Sequence, residues 1–214
     1  VRATTPVSAH GPGTRTVYHA YWEGRCFYCF KGNPMSEFML TGVGWDRNLP
    51  AVLRRCLAQH SGRTVVEVGA NVGMSTIPLC GDFRDVQFHM FEPVPEFFAL
   101  LQRNRASFEA NNAVLHNTAI ADQDRSELDI QCGLGNAGAC LYLEPTYQTV
   151  RVQARALDAL FADTDVALLK VDVDGYERSV LRGADRLLSR CRPHVWIEFN
   201  TTIMRKLRVD PLEV

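Results

Sequence analysis

No apolar run in this chain is long enough to span a bilayer, which argues against a helical membrane protein. An excess of one charge is also lacking: 23 Lys and Arg face 24 Asp and Glu, a formal net charge of −1. Without a basic surplus, neither nucleic acid nor an anionic membrane surface is an expected partner. Residues 1–15 hold Thr, Pro, Gly and Ser but no apolar core of a secretory leader. They read as a flexible lead-in, and a first residue other than Met suggests a trimmed chain. No disulfide framework is indicated, because the seven cysteines are odd in number and scattered. That pattern fits a reducing compartment, and a cytoplasmic location is expected. Cys26 and Cys29 form a CxxC, but Cys132 and Cys140 make a poor second pair for zinc. The CxxC reads as two thiols of an aromatic-rich strand. Repeats and low-complexity segments are absent.

What is present is a globular composition, 46% hydrophobic and 22% charged over 214 residues, enough for one α/β domain with some decoration. Residues 1–60 read as an N-terminal extension of strands and one helix. Its segment 16–43 is rich in Tyr, Phe, Cys and Gly, with a turn at Lys31-Gly32-Asn33-Pro34. A helix follows with Leu49, Val52, Leu53, Cys56 and Leu57 on one face, Asn48 as its cap and Pro50 in its first turn. Residues 61–214 alternate strand and helix. Strands are expected at Thr64–Val68, Val86–Phe91, Ala113–Ala119, Val166–Val173 and His194–Phe199, and helices at about Pro95–Asn111 and Glu177–Arg190. Another helix is expected beyond Gly73, shortened or bent by Pro78. The nearly continuous apolar run at 166–173 is that of a strand buried on both faces of a parallel sheet. Glu127–Ala154 breaks the rhythm and reads as an inserted β-hairpin or edge addition. The predicted fold is therefore α/β, a mostly parallel sheet with helices on both faces, and its ligands belong at the carboxyl ends of the strands.

The chemistry-bearing residues lie at those ends. Glu67-Val68-Gly69-Ala70-Asn71-Val72-Gly73 is a strand-to-helix turn whose glycines allow close approach of a ligand. The middle glycine of a dinucleotide fingerprint is missing, which disfavours a pyrophosphate. An acidic strand end followed by free N–H groups suits a ligand carrying both an ammonium and a carboxylate, such as the methionine half of S-adenosylmethionine. Glu92, followed by Pro93, closes the second strand, where a carboxylate can accept from both ribose hydroxyls. Thr118 and Ala119 would border the adenine. Lys170 to Glu177 carries three carboxylates after the fourth strand. Asp172 is the leading candidate for a catalytic base, with Glu198 and Asn200 beside it. No residue is assigned as a dedicated metal ligand, although Asp172, Glu198 and Asn200 together would offer oxygen ligands to a hard cation such as Mg2+. A bland reading is that Asp174 caps the next helix and Glu198 pairs with Lys170. The six histidines fall in no motif, and His89 reads as structural.

The series VVEVGANVGMST, FEPVPEFFALLQRN, NTAIAD, LLKVDVDGYERSVLRGADRLL and VWIEF resembles the FkbM family of S-adenosylmethionine-dependent methyltransferases over about residues 64–200. The resemblance implies a Rossmann-like class I methyltransferase fold. It also implies methylation of a hydroxyl on a natural product, sugar or other small molecule. The cofactor contacts it implies are Glu67, Gly69, Asn71, Gly73 and Glu92, extended along the same loops to Ala70, Met74, Ser75, Pro93, Thr118, Ala119 and Asp172. Most such domains carry Asp where Glu67 stands, and their sheets end in a further hairpin for which little chain remains here. The C-terminus is thus expected to be truncated, or the N-terminal strands to complete the sheet edge. The expected mechanism is in-line transfer to an acceptor hydroxyl, small-molecule or glycan, with Asp172 and Glu198 as catalytic carboxylates. Tyr18, Tyr21, Trp22, Phe27, Tyr28 and Trp45 are candidates for a lid, or for a small core of their own. The alternatives are N-methylation of a peptide or amine, a binding protein with the same fold and no activity, and, more remotely, a nucleotide-dependent oxidoreductase.

Overall fold

A computed structural model describes residues 4–8, 16–22, 24–30, 46–60, 63–132 and 148–199. The N-terminal strands β1 (Thr4–Ser8), β2 (Thr16–Trp22) and β3 (Arg25–Phe30) form an antiparallel sheet of their own. Helix α1 (Leu49–Gln59) leads into β4 (Thr64–Val68), and a single 3-10 turn at Ile77–Leu79 leads to β5 (Gln87–Phe91). Then come α2 (Pro95–Ser107), β6 (Ala113–His116), β7 (Ala119–Ile120), β8 (Arg125–Cys132), β9 (Gln148–Arg155) and α3 (Leu157–Leu160). The chain ends its described course with β10 (Val166–Val171), α4 (Glu177–Arg182), α5 (Asp185–Cys191) and β11 (His194–Ile197).

Five parallel strands make the central sheet, in the order β11-β10-β4-β5-β6. The first strand of the series, β4, is in the middle. Its successor β5 lies on one side and β10 on the other, so the crevice between the ends of β4 and β10 is the switch point where such sheets bind ligands. Strand alternation sorts the two faces. Val65 of β4 and Leu168 of β10 join a core with α1, α2 and the N-terminal sheet, while Val66, Val68, Leu169 and Val171 join one with α3, α4 and α5. β8 and β9 pair antiparallel and β7 adds parallel to β9, forming a separate three-stranded sheet.

Several expectations are corrected. No α-helix follows the glycine turn: Pro78 and Gly81 break the segment, and residues 71–82 run in successive tight turns. The third strand ends at His116, and Ala119 belongs to the other sheet. Asn48 stands at the N-terminus of α1 with Pro50 in the first turn, yet its side chain makes no capping bond. The N-terminal strands do not extend the central sheet, so β11 and β6 are its two edges among the described residues. Phe27 and Tyr28 pack on α2 rather than over the switch point, with Phe27 edge-on to Phe108 and the Asn104 amide bridging both backbone groups of Tyr28. They share the main core and do not form one of their own. The turn at 31–34, Trp45, Cys140 and Asn200 lie outside the described residues.

The helix expected at 177–190 is two helices. Gly183 sits where an added Cβ would be 2.0 Å from the carbonyl oxygen of Ala121. Its own carbonyl accepts from the Asp158 N–H, and the Asp158 carboxylate caps α5 by accepting from Arg186 N (3.1 Å) and Leu187 N (2.8 Å). A glycine inside an exposed continuous helix gains about 1 kcal/mol on replacement by Ala. Here Gly183→Ala is expected to lose about 1–3 kcal/mol through overpacking, a difference in sign that denaturant unfolding reads directly.

Candidate functional site

The site begins with a row of side chains across the sheet. In register, Lys170 of β10 is flanked by Glu67 of β4 and Trp196 of β11, with Met90 next to Glu67 on β5. Lys170 is 2% exposed and Glu67 1%. The Lys170 ammonium is 3.2 Å from Glu67 Oε1, 3.5 Å from Asp172 Oδ2 and 3.5 Å from Asp46 Oδ2. Burial works against the Lys170 cation, but the three carboxylates outweigh it and raise its pKa. Burial also pushes the Glu67 carboxyl upward against the pull of Lys170. Asp46 was not legible as a site residue, since its neighbours carry no motif. Lys170 appeared there only as a possible partner of Glu198, and the ion pairs run to other carboxylates.

The turn at 69–73 lies over this row. Gly69 has φ +86°, and a Cβ there would be 1.8 Å from the backbone oxygen of Asp172. Only glycine lets the loops after β4 and β10 meet this closely. Gly69 and Ala70 both donate to the carbonyl of Phe91, and Asn71 takes the left-handed conformation at φ +51°. Glu92 is buried beneath this loop and accepts from Asn71 N and Val94 N, each at 2.8 Å. A carboxylate has about four acceptor positions, so the clamp does not exhaust it. Burial lifts Glu92 to about 7, against the pull of those two N–H groups. Ser75 donates to Asp46 Oδ2 at 2.7 Å.

The remaining expected residues divide. Ala70, Met74 and Ala119 have buried side chains within the apolar clusters. Gly73 is buried against α2, and Pro93 and Thr118 are half-buried beside the loops. Asp172 is partly open at 22% side-chain exposure. Glu198 is exposed at the end of β11, its carboxyl raised first by burial and then by Asp172 and Asp174. Among the described residues no group of three His, Cys, Asp or Glu side chains is arranged to hold a metal ion. His89 and His116 stack on each other, His116 also stacks on Phe91, and His89 meets Phe161 edge-on, which fits a structural role. A separate hollow of about 410 Å³ at the opposite end of the sheet is lined by Arg25, Arg84 and Arg105. These tie down the carbonyls of Phe108, Gly81 and Ala113 respectively, so they act as loop fastenings.

A five-stranded parallel sheet in this order, with a glycine turn at its switch point and an acidic residue closing the next strand, is the arrangement of an S-adenosylmethionine-dependent methyltransferase domain. The chain belongs to the FkbM family: the Methyltransferase FkbM domain matches residues 67–213. It is similar to Methyltransferase 1 of Beauveria bassiana (strain ARSEF 2860), 26% identical over 145 residues that cover 56% of this chain. The match spans 58% of that relative's length. Two solved structures are distantly similar. The precorrin-6y C5,15-methyltransferase of Geobacter metallireducens GS-15 has a TM-score of 0.43 and 11% identity over 78% of this chain and 73% of its own. M. jannaschii TYW2 in complex with AdoMet has a TM-score of 0.31 and 18% identity over 53% of each chain.

The residues present suit the cofactor of that family. Glu67 Oε2, near the end of β4, and Asn71 Oδ1, in the glycine turn, are buried acceptors without a hydrogen-bond partner. Such atoms are costly unless a donor reaches them, and an ammonium is such a donor.

Two titrations bear on stability. Glu92 rises from 4.5 to about 7 in the fold, so its contribution is complete below pH 4.5 and is lost as the pH rises through 7. Burial and His89 lower His116 from 6.5 to about 4, so its contribution is complete above pH 6.5 and is lost as the pH falls through 4. Comparing Glu92→Gln with the parent isolates the first. The parent should lose up to about 3 kcal/mol relative to the variant between about pH 5 and pH 8. Parallel denaturation curves at both ends would contradict this. Lys170→Met, which leaves buried carboxylates unpaired, is expected to lose roughly 3–5 kcal/mol in the same assay.

Proposed function

We propose that the domain transfers a methyl group to a hydroxyl of a small acceptor, such as a sugar or natural product, with Asp172 as the general base. The observation that carries this reading is the position of Asp172. It is the first residue beyond β10, at the switch point, and its Oδ2 stands beside Lys170. Oδ1 is then available to receive a proton. Residues Gly69, Ala70, Asn71, Gly73 and Ser75 would hold the methionine half of the cofactor, with Met74 contributing backbone alone and Glu67 balancing the ammonium. Glu92 with Pro93 would meet the ribose, and Thr118 and Ala119 would border the adenine. Bound there, S-adenosylmethionine supplies an activated methyl group on its sulfonium.

The chain's own part is positioning and proton removal. Lys170 fixes the Asp172 carboxylate, which accepts the hydroxyl proton as the acceptor oxygen forms its bond to carbon. Asp174 and Glu198 make the rim acidic, which disfavours phosphorylated or carboxylated acceptors. The same rim would attract an ammonium, so N-methylation of a peptide or amine is the second reading.

Calorimetry with S-adenosylmethionine and S-adenosylhomocysteine tests the cofactor site, and a panel of hydroxyl and amine acceptors tests the reaction. Micromolar binding of both ligands is expected, abolished in Gly69→Val and weakened in Glu92→Ala. Asp172→Asn should lower kcat by about 10²–10⁴ while leaving affinity for S-adenosylhomocysteine, which lacks the sulfonium charge, nearly intact. Full turnover in Asp172→Asn combined with Glu198→Gln would remove the carboxylates from the mechanism.

A further inference from the structure

Asp46 precedes α1 in a segment without any recognisable motif, yet it touches both walls of the crevice. Its backbone is left-handed, at φ +49°, and its carbonyl accepts from Leu49 N at 2.8 Å, so the chain turns sharply there before the helix. A single carboxylate oxygen, Oδ2, accepts from Ser75 of the glycine loop and stands 3.5 Å from Lys170 of β10. The side chain is 17% exposed.

Neutralising Lys170 does not require this third carboxylate. Glu67 is nearer, and Asp172 is at the same distance. Three carboxylates around one ammonium leave the wall of the crevice with surplus negative charge in a poorly solvated place, where charges act over longer distances than in water. Such a surplus is unfavourable in isolation and is relieved by a cation in the crevice. Resting on the cofactor site proposed above, the two ligands of that site differ in this respect. S-Adenosylmethionine carries a sulfonium cation, and S-adenosylhomocysteine carries a neutral thioether.

We propose that Asp46 is a specificity-determining residue that biases the site toward the sulfonium donor over its thioether product. Its negative charge attracts the donor's sulfonium and does nothing for the same atom of the product. Methyl transfer therefore removes an attraction and favours exchange of product for fresh donor. The segment ahead of α1 contributes to the site through this charge, while Ser75 keeps it in place.

The test is the ratio of the two dissociation constants, measured by calorimetry on the full chain. Asp46→Asn, which keeps size and removes charge, should weaken donor binding about three- to tenfold relative to product. Asp46→Glu, which keeps the charge, should leave the ratio near the parent value even if both affinities fall. If Asp46→Asn fails to fold, Asp46→Ser provides the same comparison. Equal weakening of both ligands would make Asp46 a structural fastening and overturn the proposal, as would no change in either. If the parent binds neither ligand, the cofactor site itself is wrong and this proposal falls with it. Binding of both with an unmoved ratio overturns this proposal alone.

Discussion

The Lys170 ammonium is the interaction on which the site depends. It emerges from a strand that is buried along its whole length, between apolar residues on either side. A lone cation there would be strongly unfavourable, and one carboxylate partner rarely offsets the loss of water for both ions. The protein surrounds it with Glu67 from the neighbouring strand, Asp172 from the end of its own strand and Asp46 from the N-terminal segment. These contacts set the relative positions of three separate stretches of chain. They fix the β4–β10 register at the ligand end, hold the candidate base, and draw the start of α1 onto the glycine loop.

A second buried carboxylate organises the other side of the crevice. Glu92 closes β5, and its two oxygens secure the backbone of Asn71 and Val94. The glycine turn is thus held from below by Glu92, from β5 by the Phe91 carbonyl and from the side by Asp46 through Ser75. The turn needs these fastenings because no α-helix follows it to anchor its far end. The N–H groups of Gly69, Ala70, Asn71 and Gly73 all donate to acceptors of the protein itself, so the free donors expected from the sequence are not found at these positions. Polar groups concentrate at the carboxyl ends of the strands, whereas the arginines at the opposite end are used on backbone carbonyls.

Much of this was legible in the sequence because local patterns carry it. The apolar run ending in Asp172, the glycine spacing at 69 and 73, and the acid-proline pair at 92–93 each reflect a constraint that acts over a few residues. Strand alternation with period two and helix faces with period near four are equally local. Those patterns sufficed for a mostly parallel α/β domain, and the resemblance they carry sufficed for the FkbM family and its cofactor.

What only the tertiary structure decided involves partners far apart in the chain. The break at Gly183 arises from the Ala121 carbonyl and the Asp158 cap, neither of which is near it in sequence. A periodicity argument therefore extends the helix through it. Phe27 and Tyr28 look like free aromatics until α2 is placed against them. Asp46 is one exposed-type residue among many until folding brings it to Ser75 and Lys170. Sequence patterns report which face of an element is apolar. They do not report which distant charge comes to rest beside a buried ion, because that is set by how the elements pack in three dimensions.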